Sequence, residues 1–112
     1  MRRTALLAGI MLAAGSPADA SDGDVERGKA VAKEWGCTTC HGLTGNERSP
    51  RGRAVPMLAG QPAGYLSKTL RDYRSGVRVD NDDRSKMTFR AKALSDSDID
   101  DLSAYYAVQK RY

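Results

Sequence analysis

The sequence predicts an all-α fold of three to four helices joined by long loops, and three observations support this. Apolar residues recur every three or four positions in three separate segments, the spacing of a helix with one buried face. The stretch between the first two segments, residues 42–64, is rich in glycine and proline and is predicted to be a long loop. No segment shows the clear alternation of a half-buried strand.

The first two helices are predicted over residues 24–35 and 63–75. Asp22 or Asp24 can cap the first helix, and Gly36 can end it before the next motif begins. The second helix has a predicted buried face made of Tyr65, Leu66, Thr69, Leu70 and Tyr73. Its predicted solvated face carries Lys68, Arg71 and Arg74.

The last helix is predicted to begin after Ser95, which is a good N-cap residue. Asp98 stands at the third helical position, and Leu94 and Ile99 have the spacing of a hydrophobic staple. Beyond residue 20 the chain has only one Phe, one Trp, one Ile and six Leu, so its core is thin. A large apolar cofactor would supply the missing core of so small a domain.

Residues 1–20 are predicted to be a cleavable secretory signal, and residues 21–112 a single domain. Arg2 and Arg3 precede a short apolar run, and residues 18–20 have the A-x-A form of a cleavage site. The run is too short to span a membrane as a mature helix, so we expect periplasmic export without stable membrane insertion. Removing the signal leaves 16 basic and 13 acidic side chains, and this mixed charge of +3 does not suggest nucleic-acid binding.

The stretch 37–41, Cys-Thr-Thr-Cys-His, holds both cysteines and the only histidine of the chain. Two cysteines three positions apart, followed directly by histidine, form the pattern for covalent attachment of c-type haem. The thiols of Cys37 and Cys40 add to the two vinyl groups of haem, and the imidazole of His41 supplies one axial bond to the iron. The motif therefore predicts one covalent haem c per chain.

Other interpretations of the cysteine pair remain open at this point. The same spacing occurs in thioredoxin-like redox centres and in short disulfides, which here would belong to a small binding protein without haem. A thioredoxin-like centre would follow a strand, and none is predicted before Cys37. A zinc site would need a carboxylate as its fourth ligand.

The sixth ligand of the iron is expected to be a methionine, because the single histidine is already used. Thioether sulfur is a soft ligand that raises the haem potential when it is paired with histidine. Met57 lies in the apolar run 55–59, where ordinary packing explains it. Met87 lies in a polar stretch between two predicted helices, far enough along the chain to return to the opposite face of the haem. We therefore predict Met87 as the ligand.

The chain resembles a class I c-type cytochrome of the small bacterial single-haem kind, and is similar to each half of the di-haem cytochromes called c-four. The resemblance runs from about residue 24 to residue 109. The pieces that carry it are residues 37–42, residues 56–61, Tyr65 with Leu70 and Gly76, Met87, and residues 94–107. It implies a cytochrome c fold, with helices and long loops wrapped around one covalently bound haem.

The resemblance also implies roles for individual residues. Cys37 and Cys40 would hold the haem, with His41 and Met87 as its metal ligands. The carbonyl group of Pro56 would accept a hydrogen bond from Nδ1 of His41 and fix its tautomer. Two further implied features are Leu58 packing on the haem and a crossing of the first and last helices at Gly28, near Leu102 and Tyr105. Phe89 stands where many members of the family have proline.

These features predict a periplasmic electron-transfer protein, not an enzyme. The chain has no evident pair of carboxylates placed for acid–base catalysis. One alternative is a haem c subunit or module of a larger oxidase or dehydrogenase complex. Another is a haem sensor or enzyme with an open sixth site, which a bond from Met87 to iron would exclude.

The expected partners are the redox proteins that donate and accept the electron. Basic residues follow the haem motif and flank Met87, and they are predicted to face the haem rim and steer an acidic partner. These residues are Arg48, Arg51, Arg53, Lys86 and Arg90. Asp80, Asp82 and Asp83 lie nearby in the chain and would offset part of this charge.

Overall fold

The computed structural model describes residues 23–47, 55–79 and 87–112, and these ranges contain helices and no strand. The helices are α1 (Val25–Glu34), α2 (Cys37–His41), α3 (Ala63–Ser75), α4 (Met87–Ala91) and α5 (Asp96–Ala107). The predicted all-α class is confirmed. The predicted signal, residues 1–20, lies outside the described ranges. None of the described helices is long and apolar enough to cross a membrane.

Helices α1 and α5 cross at Gly28, where the two backbones nearly touch. A Cβ atom at Gly28 would stand 2.0 Å from the carbonyl oxygen of Asp101 and 2.7 Å from Cβ of Tyr105. Only glycine therefore allows this approach. The crossing buries Val31 and Ala32 of α1 against α5, in the same apolar cluster as Leu102.

Charged groups tie the start of α1 to the same part of α5. The buried carboxylate of Asp101 accepts from the backbone N–H of Asp24 at 2.7 Å and from Arg27 at 2.6 Å. Arg27 also donates to Asp98 at 3.2 Å. Asp24 in turn caps α1 by accepting from the backbone N–H of Arg27 at 3.0 Å. The N–H groups at the start of α1 and the carboxylates of α5 thus provide hydrogen-bond partners for one another.

The predicted start of α5 is confirmed. Ser95 accepts from the backbone N–H of Asp98 at 3.0 Å, and the Asp98 carboxylate accepts from the backbone N–H of Ser95 at 3.1 Å. These reciprocal bonds form a capping box with aspartate in the place of the usual Glu or Gln. Leu94 and Ile99 are both buried in the core, as a hydrophobic staple requires.

The two predicted faces of α3 are only partly right. Leu66 is buried, but Tyr65 is 51% exposed, because its ring lies along an open cavity. Arg71 and Arg74, which were predicted to be solvated, donate instead to Asp100 at 3.2 Å and to Asp96 at 2.6 Å on α5. Helix α3 is therefore joined to α5 by ion pairs along this edge.

Two short helices were not predicted from the sequence. Helix α2 is the haem motif itself, and α4 begins at Met87, which was expected in a loop. Each is five residues long, so neither contains enough turns to show a periodic apolar face. Helix α4 packs against α3, and Met87 lines one cavity together with residues of that helix.

Candidate functional site

The motif residues lie together because residues 37–41 form a helix. Positions i, i+3 and i+4 of a helix share one face, so Cys37, Cys40 and His41 project on the same side of α2. Both cysteines are partly buried. Burial raises the pKa of the Cys37 thiol to about 11, although the positive charge of Arg90 acts against this rise. The site thus offers two neighbouring thiols and an imidazole on one face.

The imidazole of His41 is buried and is held by a hydrogen bond to the backbone. Its side chain is 5% exposed, and Nδ1 donates to the carbonyl oxygen of Pro56 at 3.2 Å. Burial lowers the pKa of His41, and the hydrogen bond to Pro56 opposes this only in part. The ring is therefore neutral at physiological pH, with Nε2 left to bind a metal.

The segment that carries Pro56 is itself fixed to the loop that follows the haem motif. The carbonyl oxygen of Gly45 accepts from the backbone N–H groups of Leu58 and Ala59, at 2.8 and 3.0 Å. A Cβ atom at Gly45 would stand 2.7 Å from the ring of Tyr106, so α5 packs closely on this loop. These contacts fix the segment of Pro56 relative to His41.

A largely apolar cavity opens beside His41. The empty space between its walls, including the opening to solvent, is about 520 Å³. Its lining residues are His41, Pro56, Met57, Leu58, Gln61, Tyr65, Leu66, Thr69, Leu70, Tyr73, Arg78 and Met87. Apolar walls, one neutral imidazole and two thioethers fit a haem group, which is a large apolar ring around a metal ion.

The structure brings most of the predicted site residues to this cavity. His41, Pro56, Leu58 and Met87 all line it, and Cys37 and Cys40 lie on the helix that carries His41. Met57 lines it as well, so both candidate methionines are present at the site. Among the described residues, no group of three or more His, Cys, Asp or Glu side chains could hold a metal ion by itself.

Several lining residues were not identified as site residues from the sequence. Tyr65, Thr69 and Tyr73 repeat every four residues on α3, and this face was expected to pack into the core. The periodicity marks the face correctly but does not tell whether protein or cofactor covers it. Arg78, just beyond the end of α3, had no sequence signal at all.

Arg90 links the Met87 helix to the haem motif. Its guanidinium group donates to the carbonyl oxygen of Trp35 at 2.9 Å, across 55 positions of the chain. That carbonyl belongs to the C-cap of α1, where carbonyl groups lack helical partners. Arg90 therefore holds α4 beside the turn that leads into Cys37. The other four basic residues of the predicted docking rim lie outside the described residues.

A helical fold around an apolar cavity, with a Cys-x-x-Cys-His helix at its edge, defines a protein that carries c-type haem. The family profile "Cytochrome c" matches residues 25–107. The chain therefore belongs to the cytochrome c family. It is an electron carrier with one covalent haem c, and not an enzyme.

Individual relatives agree with this family. Over 74 residues the chain is 40% identical to cytochrome c-554(548) of Halomonas halodenitrificans, covering 66% of this chain and 84% of that protein. It is 40% identical to cytochrome c4 of Pseudomonas aeruginosa over 88 residues, which are 79% of this chain and 39% of the relative. It is also 38% identical to a "Thiosulfate dehydrogenase electron acceptor" of Stutzerimonas stutzeri, over 63% of this chain and 31% of that protein.

Solved structures show the same fold. Reduced recombinant cytochrome c4 from Pseudomonas stutzeri superposes with a TM-score of 0.67 at 32% identity, covering 77% of this chain and 48% of that one. Cytochrome c4 from Acidithiobacillus ferrooxidans gives a TM-score of 0.60 at 27% identity, covering 85% and 57%. The chain thus spans about half the length of these two structures.

Proposed function

We propose that the chain carries single electrons in the periplasm on a haem whose iron is bound by His41 and Met87. The observation that carries this proposal is the cavity, where a neutral His41 and the thioether of Met87 line the same space. When bound, the haem supplies reversible one-electron transfer at its iron. The chain supplies the two ligands and a surrounding of low polarity.

Each of the predicted residues has a distinct task in this proposal. Cys37 and Cys40 attach the haem and so keep it in place whichever charge the iron carries. Pro56 orients the His41 ring and fixes the proton on Nδ1, which leaves Nε2 free for the metal. Leu58 also packs against the buried core cluster, so it supports the cavity wall and excludes water.

The positions of the two methionines favour Met87 over Met57 as the sixth ligand. Pro56 binds Nδ1 of His41, so the segment 55–58 runs along the side of the ring that faces away from a metal on Nε2. Met57 follows Pro56 directly, and its carbonyl group accepts from Gln61 at 3.2 Å, which fixes it further. Met87 comes from α4, a separate element that can approach the opposite face.

Two variants test the ligand assignment. Met87→Ala is expected to abolish the weak charge-transfer absorption of a ferric iron–sulfur bond and to let the iron bind imidazole at low concentration. Met57→Ala is the matched control, because it removes the other thioether of the same cavity, and both properties should persist. The reverse pattern would assign the ligand to Met57, and no change in either variant would refute methionine ligation.

The proposed periplasmic location depends on residues 1–20, which lie outside the described residues. A basic start, a short apolar run and an A-x-A site support export and cleavage after residue 20. Mass spectrometry of the haem protein from a periplasmic fraction should find Ser21 at its N-terminus. A mature protein that retains residues 1–20 would contradict the proposal.

We also propose that the partner that receives or delivers the electron is acidic near its docking site. Arg90 is the described member of the basic rim, and it is exposed on α4. Steering by such charges weakens with salt, because the Debye length is only about 8 Å at physiological ionic strength. Electron exchange should be faster with an acidic than with a basic small redox protein and should slow with salt. A flat salt response with both would refute this.

A second candidate, a haem module of a larger assembly, is favoured by the greater length of several relatives. The relative described as an electron acceptor of thiosulfate dehydrogenase shows one setting in which such a chain receives electrons from an enzyme. Size-exclusion chromatography of the native haem protein separates the two candidates. A free carrier elutes at the size of one small domain, and a module elutes with its partner.

A further inference from the structure

The short helix α4 carries the proposed sixth ligand near one end and is anchored at the other. Its main packing partner among the described helices is α3. At its C-terminal end Ala91 is fully buried, and the Ala91 carbonyl oxygen accepts from the backbone N–H of Leu94 at 3.1 Å. Met87 is the first residue of the helix and so lies at the opposite end. The position of Met87 therefore depends on what holds the rest of α4.

Phe89 does little to fix α4. It stands where many members of the family have proline, whose ring restricts the backbone, and phenylalanine imposes no such restriction. The side chain of Phe89 is 77% exposed, so it also contributes little burial of apolar surface. Neither a stiff backbone nor packing at position 89 therefore helps to hold Met87 in place.

Arg90 supplies a bond from α4 to the turn before the haem motif. Its Nη1 donates to the carbonyl oxygen of Trp35 at 2.9 Å. The same nitrogen lies close to Gly36, where a Cβ atom would stand only 3.1 Å away. The positive charge also acts on the nearby thiol of Cys37. The guanidinium group thus lies on the backbone that leads into α2, although the residue as a whole is exposed.

The position of Arg90 on α4 couples this bond to Met87. The two residues are three positions apart, so they are neighbours on one face of the helix. Trp35 belongs to the turn before α2, the helix that carries His41. A movement of α4 away from α2 would therefore break the bond from Arg90 and withdraw Met87 from the cavity in one step.

We propose that Arg90 is a positioning residue for the sixth ligand: its bond to Trp35 keeps α4 closed and so holds Met87 on the iron. The proposal rests on the ligation of the iron by Met87 proposed above. Withdrawal of Met87 opens the iron to small ligands, so the strength of the bond appears as resistance to them. The net contribution of one hydrogen bond corresponds to about a three- to tenfold change in an equilibrium constant.

The test measures imidazole binding to the ferric holoprotein, because imidazole must displace the thioether of Met87. Arg90→Gln removes the charge and leaves a side chain too short to keep the bond, so it should bind imidazole about three- to tenfold more tightly than the wild type. Arg90→Lys keeps the charge and a donor group and should lie between the two. Lys92→Gln is the matched control, since it removes one charge from an exposed residue just beyond α4 and should change the affinity less than twofold.

Two further measurements separate this role from a general loss of stability. On warming, Arg90→Gln should lose the charge-transfer absorption of the ferric iron–sulfur bond at a lower temperature than the wild type does. The midpoint of its denaturant unfolding should equal that of Lys92→Gln, because the bond holds α4 and not the crossing of α1 and α5. Equal imidazole affinities in Arg90→Gln and Lys92→Gln would overturn the proposal.

Met87→Ala in the same series tests the ligand itself. If this variant binds imidazole no more tightly than the wild type, ligation by Met87 is refuted, and the role of Arg90 is refuted with it. If Met87→Ala gains affinity and Arg90→Gln does not, only the role of Arg90 is refuted. A gain in both variants, larger in Met87→Ala, is the expected result.

Discussion

The two sides of the molecule are held together by different means. On the side of α1 and α5, backbone meets backbone at Gly28, and Asp101 satisfies both Arg27 and the start of α1. On the side of α3 and α4, apolar and aromatic side chains face an open cavity. The first side is completed by the protein alone, whereas the second leaves an open cavity that the haem would fill in the proposed site. We therefore expect loss of haem to loosen the second side more than the first.

The largest effect is expected from loss of the haem. A Cys37→Ala, Cys40→Ala double variant should lose the cofactor on acid denaturation, whereas the wild type should retain it through two thioethers. In the double variant, hydrogen exchange of backbone amides should accelerate relative to the wild type both in α3 and at the α1–α5 crossing. The acceleration in α3 should be at least about tenfold greater than that at the crossing. Hydrogen-exchange mass spectrometry measures this, and a uniform increase over all helices would show that the two sides depend equally on haem.

A substitution at the crossing should have the next largest effect. Gly28→Ala places a Cβ atom against the backbone of Asp101, so α1 and α5 must move apart. We expect the free energy of unfolding to fall by about 3 kcal/mol, at the upper end of overpacking effects. Gly64→Ala is the control, because a Cβ there meets nothing within 4 Å. Denaturant unfolding should show it unchanged or slightly stabilised, and equal losses in both variants would refute the crossing argument.

The smallest effect is expected at the exposed ion pairs that join α3 to α5. Hydrogen bonding to Arg74 lowers the pKa of Asp96, with the charges of Arg74 and Arg71 adding to the effect. Because this pKa is lower in the folded state, the pair stabilises above the unfolded pKa and its contribution is lost as pH falls through the folded value. Asp96→Asn should therefore lower the melting temperature slightly at pH 7 and not at pH 2.5. An equal decrease at both pH values would show that charge is not the cause.

The sequence was sufficient to predict the helices of the side that the protein completes alone, and its Cys-x-x-Cys-His motif predicted a covalent haem c. The three long helices were predictable because each has enough turns to repeat its apolar face, and Ser95 and Asp98 mark the start of α5 by local chemistry. The Cys-x-x-Cys-His spacing was informative because the reaction with haem requires it.

The cavity side was less predictable because its contacts join distant parts of the chain. Tyr65 was expected in the core, since periodicity marks a face of α3 but cannot tell protein from cofactor as its cover. The position of Arg78 at the cavity and the contact of Arg90 with Trp35 depend on where α3 and α4 end in space. No local pattern records the contact between Arg90 and Trp35 across 55 positions.

The imidazole of His41 is part of a closed loop of covalent and hydrogen bonds. The chain runs from His41 to Gly45, hydrogen bonds lead from Gly45 to Leu58 and Ala59, and the carbonyl of Pro56 returns to Nδ1 of His41. In the proposed ligation of the iron by His41, a ring held in this way would turn or shift little when an electron arrives or leaves. The rearrangement of this ligand at each transfer would then be small, and a small rearrangement favours fast electron exchange even where the driving force is slight.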